Sequence, residues 1–226
     1  MASRIVYDLK AEEAKRKLAG KILEGVTPVV AVPFPEGVAV VTPGANFRKI
    51  RRIHDTILFA ALGDHQAINE GSAALINAAS RIEMTLSSRM VAIDILADDP
   101  AGIFGQIARA FQSLGTRPMA IEFALISLKK GGGAEWVIAN ACGERRYASR
   151  PFETFEMTGK PEGSKSSAEP HRTADDPIPA TEEAAIRVAT ERLKKGEPFQ
   201  TVEIGVLRRV GDAVEFNHRW EENHGG

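Results

Sequence analysis

Apolar positions change their period along the chain, and each change marks an element. Ala11, Ala14, Leu18 and Ile22 recur at three- and four-residue steps, which predicts a helix over 8–22 with one apolar stripe. Asp8 is placed to cap it, and Gly25 ends it. The period then shortens. Thr27 to Val32 and Gly37 to Val41 are β-branched runs flanking Pro33-Phe34-Pro35-Glu36-Gly37, the turn chemistry of a hairpin. Both runs are almost wholly apolar, so both faces of that sheet are expected to be covered. Ile57 to Leu62 reads as a third such strand, ending at Gly63-Asp64.

A long helix over 66–86 follows, with Ala67, Ala73, Ala74, Ala78 and Ala79 for close approach and Ile68, Leu75, Ile76 and Ile82 for area. A second spans 100–114: Asp99 is placed to cap it, Pro100 takes its first position, and Ile103, Ile107, Ala110, Phe111 and Leu114 mark its buried face. Met119–Leu128 and Glu135–Ala141 are predicted strands joined through Gly131-Gly132-Gly133, and 144–156 is a weaker third. The stretch 157–181, with four prolines and two glycines, reads as a loop or a poorly formed helix. Residues 182–195 form a helix with Glu182 and Glu183 at its positive end and Lys194 and Lys195 at its negative end. Val202–Val210 and Ala213–Phe216 make a last hairpin, and 217–226 is read as a mobile tail. Helices come in consecutive groups, which favours an α+β fold of two antiparallel sheets with helices outside them.

Composition narrows the function classes. The chain has 226 residues, 43% hydrophobic and 26% charged, enough for a single domain with a proper core. Lys and Arg number 29 against 30 Asp and Glu, a net charge of −1 that lacks the basic excess of a nucleic-acid binder. No apolar run is long enough to span a membrane and no signal peptide is visible, so a cytoplasmic protein is expected. One cysteine excludes a disulfide framework within the chain.

Most isolated chemistry is weak. Cys142 reads as a buried structural thiol. His54, His65, His171, His218 and His224 lack metal-ligand spacing, so no metal or other cofactor is expected. Gly159 to Ser164 lacks the order of a phosphate-binding loop.

One ordered series is more specific. Gly25-Val26-Thr27 opens the first hairpin; Lys49-Ile50 follows it, with Ile53, Asp55 and Ile57 at alternate positions; then comes Ala60-Ala61-Leu62-Gly63-Asp64 before the small-residue helix. From about residue 26 to 210 the series resembles the 20S proteasome subunit family. That resemblance implies a four-layer αββα sandwich of the N-terminal nucleophile hydrolase type. In catalytic β-type members a freed N-terminal threonine uses its own amine as base, tuned by an acid and a lysine. The threonine falls on Thr27 and the lysine on Lys49, but the acid falls on Pro43, which carries no charge.

The chain is more similar to the noncatalytic α-type subunits of bacterial proteasomes. Tyr7-Asp8 is similar to the pair that opens many of them, although Leu9 stands where an Arg usually follows, and the predicted helix 8–22 matches theirs. The resemblance implies a ring of seven copies stacked on threonine-protease β-type subunits. It also implies a gate arm in 1–7, carrying Arg4, Ile5, Val6 and Tyr7, and a site at Lys49 for the C-terminal carboxylate of a ring-shaped ATPase. Helix 66–86 is a candidate surface between rings, or an ordinary packing helix. Two alternatives stand beside this reading: a self-processing threonine hydrolase with Thr27 as nucleophile and Lys49 beside it, and a noncatalytic scaffold ring.

Overall fold

In a computed structural model of the chain, placement is described for residues 13–14, 16–21, 23–87, 91–99, 102–112, 121–129, 132–148, 150, 152–158, 177–194 and 198–222. The expected gate residues Arg4, Ile5, Val6 and Tyr7, the cap Asp8, Pro100, and most of 157–181 lie outside them. The helix α1 is described at 13–14, 16–21 and 23.

The fold is α+β with two antiparallel five-stranded sheets. The first has the order β10-β9-β2-β1-β8, from Ala213–Glu222, Thr201–Val210, Gly37–Pro43, Val29–Phe34 and Phe155–Met157. The second has the order β3-β4-β5-β6-β7, from Ile50–His54, Ile57–Gly63, Ile121–Leu128, Ala134–Ala139 and Arg145–Tyr147. Every residue of β1, β2 and β4 is buried, as their unbroken apolar runs predict.

The inner faces of the sheets meet in one core. Val29, Ala31, Val38, Val40, Phe155 and Leu207 of the first sheet pack on Leu58, Ala60, Ala124, Ile126 and Trp136 of the second. The outer face of the second sheet is covered by α2 (His65–Thr85), α3 (Ile93–Asp98) and α4 (Ile103–Gln112). The outer face of the first is covered by α5 (Glu182–Leu193) through Ala185, Ile186, Ala189 and Leu193. Asp64 caps α2 by accepting from the Ala67 N–H at 2.8 Å, and Thr181 caps α5 by accepting from Ala184 at 3.2 Å.

Several expectations need correction. The segment 144–156 is not one strand: β7 extends the second sheet beside β6, while β8 crosses to the first sheet beside β1. Residues 217–222 are not a mobile tail, because β10 stays paired with β9 as far as Glu222 opposite Thr201. The helix expected from Pro100 begins at Ile103, and Asp99 instead ends α3, a short helix not foreseen. Asp99 does help start α4, since its carbonyl accepts from the Gly102 N–H at 3.0 Å. Ala14 and Leu18 of the expected α1 stripe are exposed, and Ala19 and Leu23 face inward onto Ala141 instead. On α2, Ala73 and Ile76 face solvent while Gly71 and Ser72 are buried. Cys142 is partly exposed, on the turn between β6 and β7.

Candidate functional site

Thr27 and Lys49 meet at one end of the two-sheet body. Thr27 lies two residues ahead of β1, and Lys49 immediately ahead of β3, where its carbonyl accepts from the Ala61 N–H of β4 at 3.1 Å. The Lys49 ammonium donates to the Thr27 hydroxyl. Lys49 is only 3% exposed. Burial pushes its pKa down from 10.5 to about 8, and the Glu203 carboxylate opposes part of that fall. Lys49 is therefore buried and engaged, not a solvated lysine at a strand end.

Glu203 is the residue the sequence reading missed. Along β9, Val202, Ile204 and Val206 face α5, while Leu207 faces the second sheet. The two-residue period of a strand puts Glu203 and Gly205 on the same side as Leu207. Glu203 is fully buried. Its carboxylate oxygens accept from the backbone N–H of Lys49 at 3.0 and 3.1 Å and of Ile50 at 3.0 Å. His218 Nε2, from β10, lies 2.9 Å from Oε1 of the same carboxylate. Gly205 makes this approach possible, since a Cβ there would run into the Ile50 side chain. The available signal was a lone carboxylate in phase with a glycine and a leucine inside a β-branched strand.

Pro43 is buried at the end of β2 and contributes no charge to the site. Thr42, beside it, pairs in register with Glu203 and donates its hydroxyl to the Pro28 carbonyl at 2.8 Å. Thus a carboxylate does accompany Lys49, supplied from β9 rather than β2.

The chain ahead of Thr27 is docked. Leu23 and Ala19 pack with Val26 against Ala141, and the Val26 N–H donates to the Leu23 carbonyl at 3.2 Å. Arg16 pairs with Glu144 at 2.7 Å on the turn ahead of β7. While residues 1–26 remain attached the Thr27 nitrogen is an amide, and only cleavage of the Val26–Thr27 bond would free it to act as a base. Its hydroxyl is served by Lys49 alone among the described side chains.

Among the described residues, no group of three or more His, Cys, Asp or Glu is arranged to hold a metal. Within the same residues, no helix is long and apolar enough to cross a membrane. Searches against protein-family models and against curated proteins find no match to this chain.

Proposed function

We propose that this chain is a noncatalytic α-type subunit of a proteasome-like particle, adopting an αββα sandwich of the N-terminal nucleophile hydrolase type. The reading is carried by the docked segment ahead of Thr27. Leu23 and Val26 pack onto the body next to the threonine, as a retained N-terminal segment would, and while that segment is attached the Thr27 nitrogen is an amide. By this reading seven copies form a ring on a β-type protease ring, and 1–7 gates entry. An activator's C-terminal carboxylate docks at Lys49. Such docking requires the ammonium to leave Thr27, because Lys49 is shut away from solvent in the lone chain.

The test is the intact mass of the purified chain, then co-expression with a β-type subunit. A mass starting at Met1 or Ala2, and a joint particle, support the reading. A product starting at Thr27 overturns it. Deleting residues 2–7 should raise peptide hydrolysis by the joint particle, and an unchanged rate removes the gate from the proposal.

One observation favours the second reading, a self-processing threonine hydrolase. A lysine brought down to about 8 and bonded to a threonine hydroxyl is suited to take that hydroxyl's proton. Glu203 supplies the carboxylate that Pro43 lacks. Cleavage at the Val26–Thr27 bond is its distinguishing product.

A further inference from the structure

We infer that Glu203 is the positioning residue of Lys49: its carboxylate holds the lysine's backbone in place and keeps the buried ammonium charged. The inference rests on Lys49 being the working group of the proposed site. Three features carry it. Glu203 is fully buried, and it spans the two sheets from β9 to the start of β3. Both of its oxygens are used on consecutive N–H groups, so the Lys49 backbone cannot turn without breaking a charge-assisted bond. Among the described residues, Glu203 acts on Lys49 and on Arg51 at the head of β3, and it meets His218 on β10; Arg48 acts in turn on Arg51.

Arg51 shows the same balance as Lys49: burial pushes its pKa down and Glu203 opposes the fall. Without Glu203 the desolvation of Lys49 would be unopposed. A larger share of the amine would then be neutral near pH 7, which weakens its hold on a carboxylate. Sequence distance hides the link, since the two residues are 154 positions apart.

The test titrates Lys49 in the full chain. Its reactivity towards acetic anhydride is followed against pH by peptide mass spectrometry, in the parent and in Glu203→Gln. The parent should show a midpoint of about 8. The variant's midpoint should fall by roughly one pH unit or more. A folded Glu203→Gln chain with an unchanged midpoint overturns the inference. If that variant does not fold, the parent decides: the backbone amide resonances of Lys49 and Ile50 should inflect at the Lys49 midpoint, through the shared carboxylate. Amides that ignore that titration overturn it. Neither measurement needs a ring or a protease partner, so failure to assemble sinks the functional reading and leaves this one standing.

Discussion

Strand β9 runs between two ends of the molecule that treat charge in opposite ways. At one end Glu203 is fully buried, with Lys49, Ile50 and His218 all donating to it. At the other, roughly 20 Å along the strand, Arg209 joins Lys129 in an open cleft of about 300 Å³. Pro35, Glu36, Leu128, Gly132, Gly133 and Gly211 also line that cleft, and its three turns come from both sheets. Among the described residues the Arg209 guanidinium reaches the Lys129 carbonyl, at 3.5 Å, and neither cation has a carboxylate partner. The difference is one of solvent. Water serves half-buried cations at the turn end, so partners are optional. Around Glu203 and Lys49 water is excluded, and the buried charges must be matched by the protein.

The largest expected effect attacks that matching. Glu203→Ala should cost about 3–5 kcal/mol in urea unfolding, because it strands buried donors and removes the counter-charge of Lys49 and Arg51. A cost under about 1 kcal/mol would erase the distinction between the ends.

Next comes pH. Lys49 holds its proton less tightly in the folded state than in the unfolded one, so the unfolded chain binds more protons between about 8 and 10.5. Stability from this group is therefore reduced at and below pH 8 and recovers as pH rises to 10.5. The recovery is at most about 3 kcal/mol. Lys49→Met should flatten that rise, and parallel stability curves for parent and variant would contradict the assignment.

Smaller again is Thr27→Val, which keeps shape and deletes the acceptor of the Lys49 ammonium. It should cost about 1–3 kcal/mol and bring the Lys49 midpoint lower still. At the turn end, Lys129→Ala and Arg209→Ala should each change stability by no more than about 0.5 kcal/mol. A larger loss there would mean that the cleft is not governed by solvent.

How much was legible in the sequence depends on how local the deciding forces are. β1, β2 and β4 were readable because strands covered on both faces carry unbroken apolar runs. The stretch 217–222 was not, because an edge strand with alternating exposure looks like a polar tail until its partner is known. In 144–156, β7 and β8 are three residues each, too short for any period to show, and they join different sheets. On α1 the helix was readable but its inward face was not, since Ala141 decides which side is buried.

The chemical site divides in the same way. Thr27 and Lys49 were picked through the family resemblance, whereas the signal for Glu203, one carboxylate in phase with Gly205 and Leu207, names no partner 154 positions away. The amino-acid sequence by itself determined the α+β class and most of the longer elements, because propensity, turn chemistry and apolar period act over a few residues. Only the tertiary structure decided that Lys49 is buried rather than solvated and that its carboxylate comes from β9. Both outcomes depend on how two sheets lie face to face, with Gly205 admitting Ile50, and on the exclusion of water that follows.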